Sequence, residues 1–179
     1  MADPHRRAVL DTNVLISALL AKRAARATPP LQCVELAARG AFRLVTSPPL
    51  VTELTRALAY PKLKIPPDAA HGFAALVVSL AEPDGLVAIG GRLGVLTRAP
   101  ADNAVLETAL VGRAAFLVTG NPKHFAELPG VRSEHHRRGV HVLSPREFLR
   151  GRQTLRRGGH HPPNRRYLRG DSPLVTHHW

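Results

Sequence analysis

A chain of 179 residues with 44% hydrophobic content is about one ordinary domain and can bury a core, which excludes a disordered chain. Only 4% of the residues are aromatic, so alanine, leucine and valine must fill most of the interior. With 25 Lys and Arg against 13 Asp and Glu, the formal net charge is +12, a surplus that favours a polyanionic partner. A single cysteine, Cys33, excludes an internal disulfide and a cysteine-based zinc cluster. No apolar run approaches the roughly 18 to 20 residues of a membrane span. The opening MADPHRRAVLDTN lacks the apolar region and cleavage site of a signal peptide. Together these features predict a soluble, cytoplasmic protein with no membrane role.

In chain order, Arg7–Leu10 reads as a buried strand that breaks at Asp11-Thr12-Asn13 into a helix from about Val14 to Ala25. Pro29-Pro30 opens a second helix, Leu31 to Arg39, with Gly40 where a C-terminal cap glycine belongs. Phe42–Thr46 is the second strand, and Ser47-Pro48 starts a helix that ends before Pro61. Pro67 to Ala81 is a further helix, Leu86–Ile89 a possible strand, and Gly90-Gly91 a turn. Asp102 to Val111 has helical period, Ala114–Thr119 is a buried strand, and Val140–Leu143 is a last short strand before a helix from Arg146 to Leu149. Short apolar strands alternating with helices predict an α/β fold, a doubly wound, mainly parallel sheet of about five strands covered on both faces. The domain is expected over residues 1–150, followed by a basic, disordered tail over 151–179. That tail holds six arginines against Asp171, and the rest of the chain keeps 25 − 6 = 19 basic against 13 − 1 = 12 acidic residues. The positive charge therefore survives even where the tail merely aids solubility.

Ligands of an open parallel sheet bind beyond the carboxyl ends of its strands. Asp11 stands at such an end, where it serves equally well as a helix cap or as a site acid. Glu53 falls at the edge of the apolar arc formed by Leu50, Val51, Leu54, Ala57 and Leu58, in reach of a cleft or of solvent. Asp102 lies in the middle of the stripe that continues through Val105, Leu106 and Ala109, an alignment that N-capping does not require. Three carboxylates aimed into one cleft would repel one another unless a cation neutralised them. All-oxygen ligation suits Mg²⁺ or Mn²⁺ rather than zinc, and such an ion beside a basic surface is suited to hydrolysis of a phosphodiester.

In order and spacing, VLDTNVLISALL, SPPLVTELTRAL, DNAVLETAL, FLVTGNPKHF and VLSPREFL resemble the PIN-domain ribonucleases, above all the toxin components of prokaryotic toxin–antitoxin pairs. The likeness covers Arg7 to Leu149. It implies Mg²⁺- or Mn²⁺-dependent cleavage of single-stranded or structured RNA, with the family acids falling on Asp11, Glu53 and Asp102. The fourth family position is Asn121 instead of Asp, and Ala101 stands where relatives often carry an extra Asp. One firmly held ion is therefore expected rather than two. Asn13, Thr119 and Asn121 would line the pocket, and Lys123 and His124 would touch substrate. The resemblance also implies a cognate antitoxin that buries the cleft, and a homodimer.

Two other readings compete. A phosphatase of the haloacid-dehalogenase type needs Asp-x-Asp, and its acid position is Asn13 here. A catalytically weak or inactive module of the same fold, binding RNA or a protein partner, is motivated by Asn121 and Ala101. The adjacent pairs His135-His136, His160-His161 and His177-His178 suit no standard zinc site.

Overall fold

The computed structural model describes residues 7–91, 100–126 and 140–157. Within them four short apolar segments, Arg7–Leu10 (β1), Arg43–Val45 (β2), Phe116–Val118 (β3) and His141–Leu143 (β4), form one parallel sheet in the order β2-β1-β3-β4. Val9 of the central strand faces Val45 on one side and Leu117 on the other. Ala8, Leu10, Leu44 and Val118 point into one core, with Leu15, Cys33, Leu54, Phe73 and Phe148. Val9, Val45 and Leu117 point into the other, with Leu50, Val105, Leu106 and Ala109. The alternation is the two-residue period of a strand, and the continuous apolar character of each strand follows from having both faces covered.

The helices are Thr12–Arg23 (α1), Pro29–Ala38 (α2), Pro48–Leu58 (α3), Pro67–Ala81 (α4), Pro100–Val111 (α5), Pro122–Ala126 (α6) and Pro145–Arg157 (α7). Helix α1 begins directly after Asp11 and ends before Ala25, which has φ of 51°. Thr28 caps α2 by accepting the Leu31 N–H. Gly40 terminates it at φ of 66°, with Gly40 N–H bonded to Ala37 O and Ala41 N–H to Leu36 O, each at 2.9 Å. That pair of bonds is the Schellman closure for which glycine is suited.

The segment expected as a strand over Leu86–Ile89 is reduced to one parallel bridge, Thr46 with Leu86, along the outer edge of β2. Thr46 N–H donates to Gly85 O and Val87 N–H to Thr46 O, both at 2.9 Å. Of the five strands expected, four are strands and the bridge takes the fifth place. Glycine is required at 85, because a Cβ there would collide with the carbonyl oxygens of Leu44 and Ala81. Arg43 steadies the same segment, donating to Glu82 O at 2.8 Å and pairing with Asp84 at 3.0 Å.

Helix α7 continues beyond the expected end at Leu149 to Arg157. Gly151 reads as a breaker, but a mid-helix glycine costs only about 1 kcal/mol and an established helix carries through it. The rest of the basic tail, 158–179, and the three histidine pairs lie outside the described residues. A capping box starts α7: Ser144 N–H and Oγ donate to Glu147 Oε2 at 2.8 and 2.7 Å, and Glu147 N–H donates back to Ser144 Oγ at 3.3 Å. These bonds hold the Glu147 carboxyl below its ordinary range. Glu147→Ala is expected to cost about 1 kcal/mol in thermal unfolding at neutral pH. A depressed folded pKa contributes stability above the unfolded value and loses it on acidification. The gap between wild type and variant should therefore narrow between about pH 7 and about pH 3.

The chain passes from β2 to β3 over β1, so strand order reverses between β1 and β3. The carboxyl ends of those two strands border the crevice where ligands of such sheets bind.

Candidate active site

Asp11 follows the last residue of β1, and Thr119 follows the last residue of β3. Parallel pairing of Leu10 with Val118 therefore sets Asp11 and Thr119 side by side. Asp11 stands at the N-cap position of α1, yet its side chain makes no capping bond. Its Oδ2 instead accepts the Thr119 hydroxyl and the Asn13 amide, both at 2.7 Å. The Asp11 side chain thus bonds across the two strand ends and does not cap α1.

The Asn13 amide is engaged at both ends. Its Oδ1 accepts Gly120 N–H at 2.9 Å, and its Nδ2 reaches Thr119 Oγ1 at 3.4 Å as well as Asp11. Asn121 contributes its backbone N–H to Thr119 Oγ1 at 3.2 Å, while the residue itself is exposed. A Cβ at Gly120 would lie 3.1 Å from Asn13 Oδ1, so a side chain there would require the Asn13 amide to give by a few tenths of an ångström. Asp11, Asn13, Thr119, Gly120 and Asn121 form one bonded knot across the switch point.

Asp102 lies in the first turn of α5, which begins at Pro100. The residues three, four and seven positions on, Val105, Leu106 and Ala109, are buried at 2%, 0% and 0% exposure, as the helical stripe requires. Glu53 is half-buried on α3, at the margin of a face whose Leu50, Leu54 and Leu58 are buried. Burial raises the Asp11 pKa most, opposed by the Thr119 bond, and the charge of Asp102 raises it further. The Glu53 pKa is raised by burial, then by Asp11, then by Asp102, with Arg56 opposing. Asp102 thus hinders ionisation of both Asp11 and Glu53, and Asp11 that of Glu53, as charges facing one cleft do.

His124 on α6 turns its Nδ1 toward Asp102 Oδ2 at 3.9 Å, and Lys123 beside it is exposed. Among the described residues, no three His, Cys, Asp or Glu side chains stand together closely enough to ligate one ion. The donor set still fits a hard divalent cation in type and charge, since it is all carboxylate and mutually repulsive. No helix among the described residues is long and apolar enough to cross a membrane.

Two buried polar features at the edge of this region were not expected from the sequence. Ser47, which reads as an ordinary N-cap, makes no capping bond; its hydroxyl meets that of Thr108 at 2.8 Å. Glu107, which reads as a routine helix former, is only 4% exposed and accepts Gly90 N–H at 3.0 Å, fastening the segment after α4 onto α5. Polar residues at successive positions of an otherwise apolar DNAVLETAL stretch were the available signal.

A PIN-domain family model matches residues 7–123. No curated protein and no solved structure matches the chain. The matched span runs from the first residue of β1 through the loop after β3, and so contains both strand ends that border the crevice and all three acids. It covers well over half of the 179 residues, and the chain belongs to the PIN-domain family.

Proposed function

We propose that this protein is a cytoplasmic, Mg²⁺- or Mn²⁺-dependent endoribonuclease, with Asp11, Glu53 and Asp102 as the residues that hold the metal. The observation that carries the reading is Asp11 itself. It is buried at the switch point, it forgoes the capping role open to it, and its ionisation is opposed by a second acid from a distant helix. Acid groups so placed destabilise the empty cleft, and a bound cation relieves them.

When bound, a divalent cation supplies an activated water and charge stabilisation for the departing oxygen of a phosphodiester. The chain's own residues do the rest. Thr119 and Asn13 fix the rotamer of Asp11, and the Asn13–Gly120 bond holds the β3–α6 loop against the α1 turn. Lys123 and His124, on the exposed side of α6, are suited to contact phosphate. Asn13 is already committed to three partners and is a carboxamide, so the proton-donating role of a haloacid-dehalogenase acid is not open to it. Thr119→Val keeps the shape and removes the donor to Asp11. It is expected to lower cleavage about 10- to 100-fold, the range for losing an outer partner of a metal ligand.

The test is cleavage of single-stranded RNA by the full chain with Mn²⁺, with and without EDTA. Cleavage that requires Mn²⁺ supports the reading; cleavage unaffected by EDTA sinks it. A second reading, a binding module that does not cut, is favoured by Asn121 at the fourth acid position and by the lack of a preassembled ligand group among the described residues. It predicts RNA retention without product. A toxin role, a cognate antitoxin inserting a basic or amphipathic segment into the cleft, and a homodimer rest on the resemblance of the motifs alone. Co-purification with the product of an adjacent small gene would test the antitoxin.

A further inference from the structure

Glu53 and Asp102 are carried by two helices, α3 and α5, that pack against each other. Ser47, the residue before α3, and Thr108, in the middle of α5, are both 0% exposed and bonded hydroxyl to hydroxyl at 2.8 Å. Thr108 also back-bonds, its hydroxyl donating to Ala104 O at 2.7 Å. A hydroxyl has a single proton, so the one shared between the pair belongs to Ser47, and the bonds run Ser47 to Thr108 to the α5 backbone. Just past the end of α5, Gly112 packs directly on Val45, whose side chain a Cβ there would collide with. Leu50 fills the space against Val105 and Leu106 in the same core.

The acids stand symmetrically about the pair. Glu53 is six residues after Ser47 and Asp102 six residues before Thr108, so each lies about 9 Å along its helix at 1.5 Å per residue. Each helix thus carries its carboxylate about 9 Å from the shared hydroxyl contact. A change of a few degrees at that contact becomes a change of several tenths of an ångström between the acids. The two positions are close enough for the charge of Asp102 to hinder ionisation of Glu53.

We infer that the Ser47–Thr108 hydroxyl pair is a positioning tie that sets the gap between the Glu53 and Asp102 carboxylates, and with it the affinity of the cleft for a divalent cation. The inference rests on the metal-dependent reading above. Capping does not account for Ser47, which makes no cap bond. Helix propensity does not account for Thr108, a β-branched residue in a helix interior.

The test is Mn²⁺ titration of the full chain, followed by calorimetry, at a temperature where circular dichroism shows every variant folded. Thr108→Val keeps the shape and removes the hydroxyl; Thr108→Ser keeps the hydroxyl and removes a methyl. Thr108→Val and Ser47→Ala are expected to weaken Mn²⁺ binding about fivefold, equivalent to about 1 kcal/mol. Thr108→Ser should stay within about twofold of wild type. Equal weakening by Thr108→Ser and Thr108→Val would assign the effect to packing and overturn the tie. So would a lowered melting temperature with unchanged Mn²⁺ affinity. Wild type that binds no Mn²⁺ overturns the metal-dependent reading itself, and the tie with it, a result distinct from wild type that binds and variants that bind equally well.

Discussion

Asp11→Asn is expected to abolish RNA cleavage while making the protein more stable. Asn preserves the volume and an acceptor for Thr119 and Asn13, so the knot at the switch point survives. What disappears is a negative charge that burial and Asp102 both disfavour. Removing an ionised group from a dry site that does not neutralise it is favourable. A gain of about 1 kcal/mol corresponds to about 2 to 4 °C in melting temperature for a domain of this size. Cleavage should fall by at least about a hundredfold, beyond the usual effect of losing an outer partner of a ligand. Asp102→Asn is expected to lose cleavage to a similar extent. Opposed changes in activity and stability mark a residue kept for function at the expense of the fold. Loss of both together would make Asp11 a structural residue, and undiminished cleavage would remove it from the metal site.

The second large effect is stabilisation by metal, and it should depend on pH in a definite direction. Asp11 and Glu53 both have folded pKa values raised above the ordinary range. For a raised carboxyl, the stabilising contribution is complete below the unfolded pKa and is lost as pH rises through the folded one. In the metal-free protein these two groups therefore erode stability on going to neutral pH, opposite in sign to Glu147. A cation binds the ionised forms and reverses the loss. At about a hundred times its dissociation constant, Mn²⁺ should stabilise by about 2.7 kcal/mol, or about 5 to 10 °C near pH 7. The shift should shrink steadily on acidification, as protons compete for the same oxygens. Differential scanning calorimetry with Mn²⁺ and with EDTA, at several pH values, measures both effects. A shift that is equally large in Asp11→Asn and Asp102→Asn would locate the ion elsewhere.

Much of this geometry was readable from residue order, because it depends on local period. Val-Leu followed by Asp at the end of an apolar strand places Asp11 at the carboxyl edge, and parallel pairing alone brings Thr119 beside it. The stripe through Val105, Leu106 and Ala109 orients Asp102 without knowledge of any other element. Three features lay beyond that kind of reading. The Leu86 segment has strand-like composition, but Gly85 and the Arg43 contacts fix only its start, so pairing stops at one bridge. The extension of α7 past Gly151 is decided by cooperativity and not by the glycine's own preference. Ser47 stands at the N-cap position of α3 as a serine before Pro-Pro should, but a contact 61 positions away takes its hydroxyl. Local pattern finds the elements and their faces, whereas the choice between two satisfactory partners for one hydroxyl is made by tertiary structure.

The bond from Thr119 to Asp11 spans 108 positions, and it joins the centre of the sheet to a strand made late in synthesis. As the polypeptide leaves the ribosome, β1 and β2 are available to pair early, but Asp11 has neither Thr119 nor Asp102 beside it. Contacts of such long sequence separation form late, after their loop-closure entropy has been met. The unfinished chain thus carries isolated, solvated carboxylates with ordinary acidities, and the electrostatic burden of the cleft falls only on the completed fold. A centre assembled in this way gains its buried, mutually crowded acids only once the chain through Thr119 has been made and folded.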